Sequence, residues 1–250
     1  MKGRPLGQTS KQFALCLPLK PRNCEIAINY VNRSLLIVKM PKLFILTGSN
    51  GAGKSTVGPI YFPQEAGIFF DGDKLYLKKR SELWKTGLRV QKELTKQASK
   101  FVEETFNNLV SNATLRGTHF AYEGHFSNDE SWEVPLKFKS LGYEIHMVFF
   151  GVESPELSAD RVLIRAKEGG HFVDSLTLRT NYYGNLHQLN RRFQLFDSLR
   201  IIDTSEAEHR VLIITENGFI KEFSPIAEMP LWVREYLPEI YAICGSNETR

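Results

Sequence analysis

Cysteine is scarce in this chain of 250 residues: Cys16, Cys24 and Cys244 are the whole complement, and none stands in a CxxC pair. Three are too few for a disulfide scaffold, and the simplest expectation is a reducing, cytoplasmic setting. Long apolar runs are missing as well. No stretch of about 18 apolar residues occurs, which excludes a transmembrane helix, and the mean hydropathy is −0.26. The apolar stretch Phe13–Leu17 stops at Pro18 and is short for a signal-peptide core. Internal repeats and low-complexity tracts are absent. What is left, 42% hydrophobic and 24% charged residues, matches an ordinary globular chain of one large domain or two small ones.

The net charge of +4 is unevenly spread. Residues 1–39 hold seven basic side chains against one acidic, Glu25, a balance of +6; the other 211 residues hold 25 against 27, a balance of −2. The basic character belongs to the N-terminal segment, so the body gives no support for a polyanion-binding surface, and neither a nucleic-acid nor a membrane partner is expected. Met40-Pro-Lys opens directly onto the apolar run Leu43–Leu46, as many small α/β enzymes begin. Residues 1–39 therefore read as a basic N-terminal extension, a disordered or untranslated leader. A transit peptide, or an edge strand over residues 25–38, are the alternatives. Residues 40–250 read as a single domain.

Along that domain, apolar strand-like runs alternate with helical patterns. Strands are expected at 43–47, 67–71, 118–122, 143–152 and 200–203. A short helix should follow Gly53, kinked or cut short by Pro59. A long one should present Val90, Leu94, Ala98, Phe101, Val102, Phe106 and Val110 on one face. Further helices are expected at 129–141, with a kink at Pro135, at 156–168, and at 186–199. Asn217-Gly218 between two β-rich runs predicts a hairpin. The expected fold is α/β: a P-loop NTPase-type parallel sheet with helices on both faces, a helical lid around 161–182, and a C-terminal hairpin.

The chemistry starts at Gly48-Ser49-Asn50-Gly51-Ala52-Gly53-Lys54-Ser55-Thr56, a full GxxxxGK[ST] loop between a strand and a helix. Glycines let successive backbone N–H groups face one concavity, and the helix N-terminus adds positive potential. In such loops Lys54 reaches the β- and γ-phosphates of ATP and Ser55 holds Mg²⁺. A purely structural glycine turn is the competing reading. No LSGGQ-like or NKxD sequence accompanies the loop, which argues against a transport ATPase or a guanine-nucleotide switch. A small-molecule kinase remains. It needs a base for the acceptor hydroxyl and cations for developing charge. Asp73, in Asp71-Gly72-Asp73, and Glu123, in Tyr122-Glu123-Gly124, follow strands whose carboxyl ends line the ligand crevice of an open α/β sheet. Asp73 falls beside the loop if the first two strands are neighbours. Solvated turn and strand-end carboxylates are the alternatives. Arg161 and Arg165 share a helix face; Gly169-Gly170 offers a hinge and Arg179 follows, a lid-like arrangement that competes with a merely solvated basic face. His125 and His171 lack ligand-spaced partners for a metal.

These residues resemble the zeta-toxin-like P-loop kinases over roughly 41–205. The resemblance rests on GSNGAGKST, FDGD, YEG, Leu141-Gly142-Tyr143, RVLIRAKEGGHFV and Ile202-Asp203-Thr204-Ser205. It implies an ATP- and Mg²⁺-dependent kinase that phosphorylates a sugar hydroxyl of UDP-N-acetylglucosamine and is restrained by an antitoxin. It further implies Asp73 as catalytic base, Glu123 as acceptor contact, Lys54 and Ser55 as the phosphate-loop pair, and Arg165 with Arg179 as the pair that neutralises the transferring phosphate. Arg161 is expected to anchor its helix. The chain departs from common family patterns at Asp71-Gly72-Asp73, Glu123-Gly124 and Leu178–Tyr182, all on the acceptor side, so another small acceptor remains open. A non-catalytic nucleotide-binding regulatory module would need neither Asp73 nor the arginines.

Overall fold

In a computed structural model, residues 40–63, 66–67, 69–167 and 173–248 are described. The basic extension 1–39, the expected hinge Gly169-Gly170 and His171 lie outside the described residues. Among the described residues the sheet has seven strands in the order β2-β3-β1-β4-β5-β6-β7. They are β1 (Lys42–Gly48), β2 (Phe69–Asp71), β3 (Phe120–Glu123), β4 (Glu144–Gly151), β5 (Ser198–Asp203), β6 (Arg210–Glu216) and β7 (Phe219–Phe223). The first five pair in parallel, and β6 and β7 are antiparallel additions. The hairpin turn has Asn217 at φ 51° and Gly218 at φ 78°, the left-handed pair a tight hairpin requires. Helices flank the sheet: α1 (Lys54–Tyr61), α2 (Gly72–Lys85), α3 (Gln91–Arg116), α4 (Glu133–Ser140), α5 (Pro155–Lys167), α6 (Ser175–Arg192), α7 (Leu231–Tyr236) and α8 (Pro238–Glu248). None of the described helices is long and apolar enough to cross a membrane.

The condition set for Asp73 is met in another way: β1 and β2 are not neighbours, because β3 lies between them. Phe120, Ala121 and Tyr122 are buried in succession on β3, which suits a strand covered on both sides. The three-residue β2, only partly buried, takes the edge. The pairing still serves the site, because it puts Asp71 opposite Glu123, both at the carboxyl ends of their strands, and Glu123 opposite Leu46, two residues before the end of β1.

Three helical readings change as well. Pro135 sits in the first turn of α4, where its missing N–H has no helical partner to lose, so no kink is required there. Residues 175–192 form one helix in place of the expected 186–199. Asp174 caps it by accepting from the Thr177 N–H (3.0 Å), and Ser198-Leu199 pass to β5. On α3, Leu94, Ala98, Val110 and Ala113 are buried, while Val90 and Phe101 lie toward solvent. α1 is short, with Pro59 inside it. The core runs through the sheet from Leu43, Ile45 and Leu46 to Phe149, Phe150, Ile201 and Ile202, and Trp232 and Ile240 seal its far end.

Candidate active site

The turn from β1 into α1 depends on two glycine positions. Gly48 has φ 135°, and a Cβ there would stand 2.1 Å from the Phe150 carbonyl oxygen. Gly51 has φ 71°, and a Cβ there would stand 2.8 Å from the Ser158 carbonyl oxygen. Side chains would both strain this backbone and drive the loop off α5 and β4. Lys54 is 6% exposed. Its Nζ donates to the carbonyls of Gly48 (3.0 Å) and Ser49 (2.9 Å) and lies 3.8 Å from Glu123 Oε1. Burial pushes the Lys54 ammonium down from its ordinary range and the Glu123 carboxyl up, and each partner pulls the other part of the way back.

In front of the loop lies a cavity of about 470 Å³. Gly51, Gly53, Lys54, Ser55 and Thr56 form one wall. Asp71, Asp73, Lys74 and Glu123 come from the β2 and β3 ends, and Arg161, Ile164 and Arg165 from α5. Asp71 is fixed as the cap of α2 by the Lys74 N–H (2.9 Å), which leaves Asp73 exposed in the first helical turn. Gly48, Ser49, Asn50 and Ala52 do not line this cavity; the last three are buried and frame the loop from behind.

That frame is polar, and sequence reasoning missed most of it. Asn50 accepts from Asn181 Nδ2 (2.9 Å), points its own amide nitrogen at His125 Nε2 (3.3 Å), and takes the Ser158 hydroxyl on its backbone carbonyl. Asn185 Oδ1 accepts from the Phe126 N–H (2.6 Å) and from the Thr47 hydroxyl (3.3 Å). The Thr204 hydroxyl lies 3.0 Å from the Ala52 carbonyl and 2.9 Å from that of Gly151. Ser158, Asn185 and Thr204 are each at most 5% exposed. Buried polar residues inside a helical pattern were the available signal, because they need partners to be tolerated. His125, behind the loop, is held down to about 3 by burial first and then by Lys54.

The expected arginines separate. Arg161 donates to the carbonyls of Thr204 (2.6 Å) and Ser205 (2.8 Å), tying α5 to the end of β5. Arg165 lines the cavity. Arg179 does not: it projects from α6 and pairs with Glu156 at 2.8 Å, both partners more than half exposed. Beyond Asp73 and Glu123 a second cavity of about 640 Å³ opens between α2, α3 and the segment after β3. Asp73 and Glu123 line both cavities.

Ser55 and Asp71 offer hard oxygen donors beside the phosphate wall, which fits Mg²⁺ held chiefly by substrate phosphates. Among the described residues there is no cluster of three or more His, Cys, Asp or Glu that would hold a metal by itself.

A parallel sheet, a phosphate loop at the end of its central strand, and carboxylates and an arginine around one cleft define a P-loop kinase-type phosphotransferase. The Zeta toxin family model matches residues 32–216, and the chain belongs to that family. Among solved structures, the PezAT chromosomal toxin–antitoxin system of Streptococcus pneumoniae is similar at 22% identity over 87% of this chain and 96% of its own, with a TM-score of 0.51. The AvrRxo1-ORF1:AvrRxo1-ORF2 complex with sulphate ions is similar at 16% identity over 79% of this chain and 64% of its own, with a TM-score of 0.56. The same complex with ATP gives 15% identity, 73% and 60% coverage, and a TM-score of 0.53. At these identities the likeness is one of fold. No curated protein matches this chain by sequence.

Proposed function

We propose that this chain transfers the γ-phosphate of ATP to a hydroxyl of a small acceptor seated in the second cavity. One observation carries the reading: Asp73 and Glu123 form the shared wall between the phosphate-loop cavity and a second, acceptor-sized one. A phosphoryl-transfer site needs that junction, because the attacking oxygen must meet the γ-phosphorus in line with the leaving oxygen. The acceptor oxygen forms the new bond to phosphorus, the β–γ bridging bond breaks, ADP leaves, and the hydroxyl proton passes to Asp73. Lys54 exchanges its two loop carbonyls for phosphate oxygens. Arg165 faces the transferring group from the α5 side, and Glu123 orients the acceptor. Ser55, with Asp71 nearby, would hold Mg²⁺, which would neutralise charge on the β- and γ-phosphates.

Family membership nominates UDP-N-acetylglucosamine as the acceptor to try first, a protein antitoxin as partner, and the cytoplasm as the place of action. A nucleotide-binding module without turnover is disfavoured, because it has no use for Asp73 at that junction. ADP release from ATP and Mg²⁺, measured over a panel of hydroxyl acceptors, tests the reading. Lys54→Ala should abolish turnover. Asp73→Asn should keep ATP binding yet lower the rate by about 10²–10⁴, the usual range for a lost general base. Full turnover by Asp73→Asn with the true acceptor would remove the base assignment.

A further inference from the structure

The two cavities differ in charge. Four cationic side chains, Lys54, Lys74, Arg161 and Arg165, line the phosphate-loop cavity beside three acids, Asp71, Asp73 and Glu123. Among the described residues lining the second cavity there is no lysine or arginine, and there are four acids: Asp73, Glu103, Glu123 and Glu130. The second cavity's other groups are largely aromatic and apolar, with Phe70 and Tyr122 from the sheet, Val102 and Phe106 from α3 and Val134 from α4. Tyr122 is 5% exposed, and its hydroxyl has no hydrogen-bond partner among the described residues.

Deepening the kinase reading, on which this rests, we infer that the second cavity accepts an uncharged or cationic hydroxyl compound with a planar or apolar face, and selects against acceptors that carry a diphosphate. The segregation of cations is the reason. A diphosphate needs Arg or Lys forks, or an uncapped helix N-terminus, to replace its water, and the N-terminus of α2 on this wall is already capped by Asp71. Among the described residues on the walls of this cavity it would meet four carboxylates and no lysine or arginine, and like charges oppose binding. Sugar rings, nucleoside bases and ammonium groups suit aromatic walls with acidic neighbours. The same four acids would bond sugar hydroxyls or pair with amines. The diphosphate of the family's nucleotide-sugar acceptor therefore finds no lysine or arginine among the described residues of the second cavity.

The test uses the full chain with its phosphate-loop cavity saturated by AMP-PNP and Mg²⁺. Uridine, N-acetylglucosamine and kanamycin serve as non-anionic probes, and UDP-N-acetylglucosamine as the anionic one, with affinities read by calorimetry. At least one non-anionic probe should bind ten or more times tighter than UDP-N-acetylglucosamine. Glu103→Lys/Glu130→Lys, two surface positions outside the proposed transfer machinery, should narrow that ratio at least tenfold while leaving AMP-PNP affinity unchanged. If none of the three probes outbinds UDP-N-acetylglucosamine tenfold, or if the double substitution leaves the ratio as it was, the inference falls. ADP release, run alongside, separates the two ideas. Turnover of UDP-N-acetylglucosamine as the best acceptor sinks the inference and keeps the kinase. Loss of AMP-PNP binding in the parent chain sinks the kinase reading itself.

Discussion

Arg165 and Arg179 carry the same charge but stand in different surroundings, and the difference can be tested. Arg165 lines the phosphate-loop cavity, and its charge is felt at Lys54. Arg179 sits with Glu156 on the outer surface. An exposed pair of that kind contributes at most about 1 kcal/mol, so it does not bar Arg179 from swinging inward when phosphates arrive. Arginines that neutralise a transferring phosphate contribute about 10³–10⁵ in rate. Arg165→Ala and Arg179→Ala are each expected to lower kcat far more than they weaken ATP binding. Lysine at either position should restore only part, because a point charge lacks the guanidinium fork. Steady-state kinetics beside ATP titration checks this. An Arg179→Ala protein with parental kcat would leave Arg179 a surface partner of Glu156, and only Arg165 in the transfer role.

At the scale of elements, the phosphate loop is shaped by what stands behind it. α5 supplies Ser158, α6 supplies Asn181 and Asn185, and the end of β5 supplies Thr204; each is buried or half-buried and hydrogen-bonded to the loop or its neighbours. His125 closes this frame as a neutral ring. Asn50 Oδ1 is occupied by Asn181, so the Asn50 amide nitrogen donates and His125 Nε2 must accept. Protonating that nitrogen breaks the bond and buries a charge beside Lys54. The sign follows. His125 titrates near 6.5 when unfolded and near 3 when folded, so its contribution to stability is present above about pH 6.5 and is lost as pH falls toward 3. Urea midpoints measured from pH 7 down to pH 4 should fall, and His125→Gln should flatten that part of the profile. Equal slopes in the two proteins would show that the frame does not depend on a neutral histidine.

On the scale of the whole molecule, the charge balance still divides the chain at Met40, although the family match begins upstream, at residue 32. We expect a protein beginning at Met40 to unfold cooperatively and to bind ATP as well as the full chain does, because β1, the phosphate loop and the described linings of both cavities come from residues after that point. Thermal melts and ATP titration of the two lengths decide it. A shortened protein without a cooperative transition would make residues 32–39 part of the folded unit.

The alternation of apolar runs with helical patterns set out a parallel sheet, and Gly48–Ser55 and Asn217-Gly218 were readable because each demands its residue types locally, through positive φ and bare backbone. Arg161 was expected to anchor its helix; it holds the Thr204 and Ser205 carbonyls while lining the cavity beside Arg165. What local pattern left open is order and company. Two strands adjacent in sequence need not be adjacent in a sheet, and the insertion of β3 between β1 and β2 follows from which strand can bury both faces, a property of the assembled layers. The polar frame behind the loop joins residues as far apart as Asn50 and Asn181, or Ala52 and Thr204. No sequence spacing encodes such pairs, because a buried amide finds its partner only once the helices have packed. The same holds for the two cavities. Their charged residues lie scattered along the chain, and only the tertiary structure gathered Lys54, Lys74, Arg161 and Arg165 on the phosphate side while acids line both cavities.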